Sequence, residues 1–245
     1  MKSLVQAALK PFGLQLRRIR YQHNPHFGLE VLFSLLKEKG FAPRRIIDVG
    51  ANHGHWTRKA LIYFPKASYT LVEPQDYLKQ EVQDLIDAGR AQWINAGAGD
   101  EPGQLPFDIC YRDDCSSFML VPTNNKAPSA TRVTVEVKTL DQIAASLGLP
   151  FPELIKIDAE GFDLKALRGA TTLFGKTDVF LVEAAVCCPD IPNTAFDVMQ
   201  YMDCHGYKLI DITDLNRSPK DNSLWACELV FLRESSSLST TFTYL

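Results

Sequence analysis

The sequence predicts an α/β protein: a mostly parallel sheet with helices on its faces, closed near its C-terminal end by an antiparallel strand pair. Three observations carry that class. From residue 45 onward, short apolar runs alternate with amphipathic segments, as parallel strands joined by crossover helices do. The last two apolar runs, residues 208–212 and 227–232, follow one another with no helix between them, which an antiparallel pair explains most simply. The first strand runs through a glycine-bearing turn, "DVGANHG", directly into a helix, the junction at which open α/β sheets hold ligands.

Ahead of the sheet, "HFGLEVLFSLLKEKG" sets Leu29, Leu32, Phe33 and Leu36 on one helical stripe, with Gly40 where a left-handed C-terminal cap belongs. Residues 1–40 are therefore read as a helical extension and residues 41–234 as the catalytic domain. Strands are expected at 45–49, 69–73 and 92–96, with helices at 54–64 and 76–88 between them. Between 103 and 139 the period changes. "TRVTVEVK" alternates Val133, Val135 and Val137 with Arg132, Thr134, Glu136 and Lys138, a half-buried strand of a β-insert. The turn formers of "VPTNNKAPSA" before it predict a mobile loop. Alternation resumes with a helix at 140–147, a strand at 154–158, a helix at 163–174, a strand at 179–183 and a helix at 194–205. The serine-rich tail, 235–245, is expected to be loose.

With 245 residues and 46% apolar content, the chain can bury one substantial core. Its formal charge of -3, with both signs interspersed, gives no electrostatic footprint for a nucleic-acid partner. The six cysteines, Cys110, Cys115, Cys187, Cys188, Cys204 and Cys227, lack metal-ligand spacing and read as small apolar residues of a reducing compartment. Cys187, Cys188 and Cys204 with His205 make a poor zinc set, because adjacent cysteines rarely chelate one ion. The apolar run at 3–9 is broken by Lys10 and Pro11. It is too short to span a bilayer and a poor secretory signal, so a cytoplasmic protein without an integral membrane segment is expected. Lys2, Lys10, Arg17, Arg18 and Arg20 suit a solvated helix better than one lying on an anionic membrane surface. A homodimer contact through the N-terminal helix stays open.

The opening turn narrows the ligand. Glycine permits positive φ and lets a ligand approach the backbone, and the new helix offers unpaired N–H groups. The spacing is Gly50-Ala-Asn-His-Gly54, neither the G-x-G-x-x-G of a dinucleotide site nor a phosphate loop. Glu73 ends the second strand 23 positions after Gly50, where an acidic side chain can accept both hydroxyls of a ribose. A ribose without a pyrophosphate points to S-adenosylmethionine.

"IIDVGANHGHWT", "LVEP", "INAGAGD", "KTLD", "LIKIDAEGFDLKALRGA" and "FLVEA", in that order, resemble the FkbM-type family of class I S-adenosylmethionine-dependent methyltransferases over residues 45–183. The resemblance implies a Rossmann-like seven-stranded methyltransferase sheet and methyl transfer, frequently to a hydroxyl of a sugar or natural product. By matching motif, it implies that Asp48, Gly50, Asn52 and Gly54 contact the methionine part and Glu73 the ribose. It places Asp100 near the adenine amino group and Ser116 and Ser117 beside the cofactor. His53 and His55 depart from the commoner choices in the turn; His55 is either a cofactor contact or an exposed helix-start residue.

The strand "LIKID" delivers Asp158 to the same carboxyl edge, with Glu160 two residues on. A methyl acceptor that is an alcohol must lose a proton, and Asp158 is the first candidate base. Asp158 could instead orient the cofactor's ammonium group, and Glu160 could cap the helix expected at 163. Lys156 points to the same face as Asp158, and burial would require it to pair with Glu183 or another acid. Asp158, Glu160 and Glu183 could share a divalent cation, although the favoured reading has no metal. The small-molecule acceptor is expected to be walled by residues 115–130, the insert and 187–195, with Tyr111, Phe118 and Met119 as apolar lining. A carboxylate or amine acceptor, a nicotinamide oxidoreductase disfavoured by the glycine spacing, and a binding protein without chemistry remain as alternatives.

Overall fold

A computed structural model describes residues 28–110, 116–118, 131–148, 150–187, 193–218 and 220–241. The basic N-terminal arm, Tyr111, Cys115, Met119, the "VPTNNKAPSA" segment and Cys188 lie outside the described residues. Helix α1 (Gly28–Glu38) comes first, followed by strand β1 (Arg45–Val49), α2 (His55–Tyr63) and β2 (Ser68–Val72). Next come α3 (Gln83–Asp87), β3 (Ala91–Ile94) and the short β4 (Gly97–Ala98), then the insert strands β5 (Gly103–Ile109) and β6 (Thr131–Lys138). The second half holds α4 (Leu140–Leu147), β7 (Leu154–Ile157), α5 (Asp163–Arg168), β8 (Val179–Ala185), α6 (Ala195–Cys204), β9 (Tyr207–Arg217) and β10 (Leu224–Arg233).

Seven strands form one sheet in the order β3-β2-β1-β7-β8-β10-β9. The strands β3, β2, β1, β7 and β8 run parallel, and β10 lies antiparallel to both β8 and β9. This is the Rossmann-like methyltransferase sheet, with its order reversing between β1 and β7. The β-insert is a separate three-stranded sheet, β4-β6-β5.

Period-2 alternation explains why both sheet faces are covered. Ile46, Leu154, Val179, Leu181, Val230 and Leu232 face one side, where α1 contributes Leu32, Phe33 and Leu36, α2 contributes Ala60, and its C-cap Phe64 completes the cluster. Ile47, Val49, Ile155, Ile157, Phe180, Val182 and Phe231 face the other, beneath Leu140, Ile143, Leu167, Val198 and Met202. The expected stripe of α1 is the buried one: Phe33 is fully buried, with ring centroids 5.5 Å from Trp56 and 5.4 Å from Phe64.

Three expectations need correction. The helix read at 76–88 is a 3-10 turn (Asp76–Val82) followed by the short α3. Val82 leaves helical geometry at φ -116, and its Cγ1 packs so closely on Gly54 that a Cβ there would sit 2.5 Å away. That contact overrides helix propensity. The helix read at 163–174 ends at Arg168, and its C-cap Gly169 packs on Gly99 so closely that a Cβ would meet the Gly99 carbonyl oxygen at 2.1 Å. Asp141 then draws in Thr171 and Thr172 through hydroxyl bonds of 2.6 and 2.8 Å. The tail is docked at least as far as Leu238, which is buried in the cluster under α1. Among the described residues, no helix is long and apolar enough to cross a membrane.

Phe33→Ala removes the ring that joins α1 to the sheet. It is expected to lower unfolding free energy by about 3–5 kcal/mol in urea titrations, the range for a buried aromatic truncated to alanine.

Candidate active site

The carboxyl ends of β1, β2 and β7 open onto a cavity of about 610 Å³, within the range for small-molecule sites. Gly50, Asn52, His53, His55, Trp56, Glu73, Gln75, Gly97, Phe107, Ser116, Phe118, Lys156, Asp158 and Glu160 are among its lining residues. Motifs far apart in the chain thus meet because parallel strands bring all their C-terminal ends to one edge.

The turn after β1 is built by close approach. Gly50 has φ +67, and a Cβ on it would lie 1.8 Å from the backbone oxygen of Asp158, so the end of β7 presses against the turn where only glycine fits. Its N–H donates to the Val72 carbonyl at 2.9 Å. Asn52 also takes positive φ, 46°, a conformation asparagine tolerates, and its side-chain oxygen accepts from the His53 N–H at 2.7 Å. Gly54, at φ 73, is the N-cap of α2. His55, the first residue of α2, is exposed and lines the cavity.

Glu73 is buried at the end of β2. One carboxylate oxygen accepts from the Asn52 N–H and the other from the Gln75 N–H, each at 3.0 Å. Burial pushes its pKa up, and the Gln75 and Asn52 N–H groups work against that rise. Glu73 therefore braces the turn as well as lining the cavity.

Asp48 does not line the cavity. It lies beneath the turn, fully buried, accepting from the Thr57 hydroxyl at 2.6 Å and facing the Lys156 ammonium at 3.3 Å. Burial raises its pKa against the pull of Lys156. Lys156 is buried and paired, as expected, and the acids it pairs with are Asp48 and Asp158, the second of the two possibilities, rather than Glu183. Its Nζ stands 3.1 Å from an Asp158 oxygen and donates to the carbonyls of Val49 at 3.2 Å and Gly50 at 3.1 Å. The reason is register: Lys156 lies opposite Asp48, and β1 is its neighbour strand on that side. Burial disfavours its charge, but Asp158 and Asp48 outweigh it, so the ammonium is held above the usual lysine range.

The remaining expected residues divide. Ser116 is buried, lines the cavity and accepts from the Cys110 N–H at 3.1 Å. Ser117 stands behind the wall, its hydroxyl donating to the Glu160 carbonyl at 2.8 Å. Asp100 is exposed, outside the lining residues. Glu160 has φ 49, and the N-cap of α5, Phe162, carries no side-chain cap; the Leu164 N–H donates to Asn193 Oδ1 at 2.8 Å, while the Asp163 carboxylate folds back on the loop and accepts from the Ala159 N–H at 2.7 Å and the Gly161 N–H at 3.1 Å. Cys187 and Cys204 are exposed.

Phe118 faces Phe107 at 4.8 Å and Phe162 at 4.9 Å, and its ring lies against Gly97. This aromatic wall, together with Trp56 and Gln75, includes residues the motifs did not reveal; Phe107 in the insert and Gln75, two places after Glu73, were the available signals.

Oxygens of Asp158, Glu160 and Glu183 lie within 4.8 Å of one another, a spacing that would allow them to hold a cation and that acidic groups also reach without one. Burial first, then Asp158 and Asp163, push the Glu183 carboxyl well above its usual range. Burial also takes Asp163 from 3.8 and Glu228 from 4.5, each to about 7.

The family model described as the methyltransferase FkbM domain matches residues 48–209. The chain belongs to this FkbM methyltransferase family. It is a methyltransferase that depends on S-adenosylmethionine. Among curated proteins, none matches this sequence. The rRNA methylase of Streptococcus thermophilus is 8% identical, covers 86% of this chain and 97% of its own, and superposes with a TM-score of 0.49. The O-methyltransferase TomG of Streptomyces achromogenes, involved in tomaymycin synthesis and solved with S-adenosylmethionine, is 14% identical at 94% and 88% coverage, TM-score 0.46. The precorrin-6y C5,15-methyltransferase of Geobacter metallireducens is 11% identical at 83% and 88% coverage, TM-score 0.44.

Two outcomes follow for this FkbM enzyme. Gly50→Ala, strained and in collision with Asp158, is expected to cost at least about 1–3 kcal/mol of stability and to remove measurable binding of S-adenosylhomocysteine in calorimetry. Carboxyls raised in the folded state stabilise it fully at low pH, and this contribution is lost as pH rises through about 7 for Asp163 and Glu228. The melting temperature should therefore fall between about pH 5 and pH 8, and Glu228→Gln should flatten that slope and melt higher than wild type at the alkaline end.

Proposed function

We propose that the protein transfers a methyl group to a hydroxyl of a small molecule, a sugar or natural product, with Asp158 as the base. The observation that carries the reading is the position of Asp158: its side chain, 38% exposed, lines the cavity beside the glycine turn and is held by a buried ammonium at 3.1 Å.

The lining fits S-adenosylmethionine. Gly50 lines the cavity at the turn, Gly54 lies outside the lining and is fixed by its packing on Val82, and Glu73 stands at the β2 edge for a ribose. Asn52, His55, Gln75 and Ser116 complete the set that would hold it. When bound, it supplies a methyl group on a sulfonium sulfur, already activated for displacement.

What is left to the chain is positioning and proton removal. Phe107 and Phe118 give the cavity an apolar side against which an acceptor can pack. Asp158 accepts the hydroxyl proton, leaving oxygen as the nucleophile. A hydroxyl suits the site better than a carboxylate. An anionic acceptor would approach Asp158, Glu160 and Glu183 together, while the nearby ammonium of Lys156 is already surrounded by Asp48 and Asp158.

With a hydroxyl acceptor found by mass-spectrometric screening of glycosides and polyketides, Asp158→Asn is expected to reduce kcat about 10²–10⁴-fold while S-adenosylhomocysteine affinity holds. Loss of that affinity together with turnover would assign Asp158 to the cofactor's ammonium group instead. Full turnover would point to an acceptor that needs no base.

A further inference from the structure

The ammonium of Lys156 has three protons and stands 3.1 to 3.3 Å from four oxygens: it donates to the carbonyls of Val49 and Gly50 and forms ion pairs with Asp158 Oδ2 and with Asp48 Oδ1, a buried oxygen that accepts no hydrogen bond among the described residues. Two of these belong to the backbone that enters the glycine turn. One is the buried carboxylate below it, and one is the carboxylate that faces the acceptor. The four come from β1 and the chain just past β7, and the side chain that joins them is only 4% exposed.

This placement constrains both halves of the site. The Val49 carbonyl is already held by the Asp158 N–H at 3.2 Å, and the ammonium adds the Gly50 carbonyl, the first of the turn, after which the Asn52 N–H is committed to Glu73. Asp158 is drawn toward the same nitrogen, with its own backbone oxygen pressed against the Gly50 Cα. A neutral side chain of equal length would fill the space yet leave the Gly50 carbonyl without this donor and two carboxylates without their shared cation, while the Val49 carbonyl would keep the Asp158 N–H at 3.2 Å.

We propose that Lys156 is a positioning residue that locks the cofactor turn to the reacting carboxylate, so that one side chain sets both the seat for S-adenosylmethionine and the place of Asp158. The inference rests on the reading of the cavity as that seat. Lys156 is not itself a base here, because a fully engaged ammonium has no lone pair to accept a proton.

Neutralising Lys156 alone would leave Asp48 as a buried charge without its cation, and any loss of binding could then be loss of fold. The test therefore pairs Lys156→Met with Asp48→Asn, removing both charges at nearly constant volume. Thermal melts and calorimetry with S-adenosylhomocysteine are run on the full chain for wild type, Lys156→Met and the double variant. The double variant is expected to recover the melting temperature that the single variant loses, yet to bind S-adenosylhomocysteine at least tenfold more weakly than wild type. A double variant that is stable and binds within threefold of wild type would overturn the inference. So would one that does not fold, since Lys156 would then hold the fold rather than the site. Absence of binding by the wild-type chain would overturn the cofactor reading as well, and is distinct from either of those results.

Discussion

One buried ammonium carries the electrostatics of this site. Asp48 and Asp158 are two carboxylates from neighbouring strands, and Lys156 stands between them with its stem in the sheet. Without that cation, the burial of Asp48 would leave a charge with only the Thr57 hydroxyl for company. With it, the turn after β1 can keep its carbonyls directed inward and its opposite side open to a ligand.

The same strand ends explain why the acidic residues are crowded. Alternation puts Lys156, Asp158, Glu183 and Glu228 on one sheet face, and the antiparallel pairing sets Glu183 directly opposite Glu228. Toward the amino ends that face is apolar and packed under α1 and α2; at the carboxyl end it becomes polar. The change occurs where the strands stop and the cavity begins. Burial and the neighbouring acids push the Glu183 carboxyl well above its usual range, while Asp158 stands beside the ammonium and lines the cavity.

Much of the fold was legible in the chain. The bounds of β1 and α4 match the hydrophobic periods of residues 45–49 and 140–147, and Thr139 caps α4 through a reciprocal pair with Gln142. The turn at Gly50 and the acid at Glu73 could be found by spacing because both sit at strand ends, where the motif is local. Boundaries failed where a distant contact intervened: Val82 against Gly54, Gly169 against Gly99, and Leu238 in the cluster beneath α1. None of these partners is near in sequence.

The sequence by itself determined the sheet class, the glycine turn and the carboxylates of "KIDAEG", because period-2 alternation and backbone sterics act over a few residues. Only the tertiary structure decided what each of those residues touches. Of the acids that could pair with a buried Lys156, register between β1 and β7 selected Asp48 and Asp158. Strand ends converging on one edge brought Phe107 and Phe118 to the cavity and left Asp100 outside its lining. Pairing across a sheet depends on which strands become neighbours, and that order is set by packing of the whole chain, which no short stretch of it encodes.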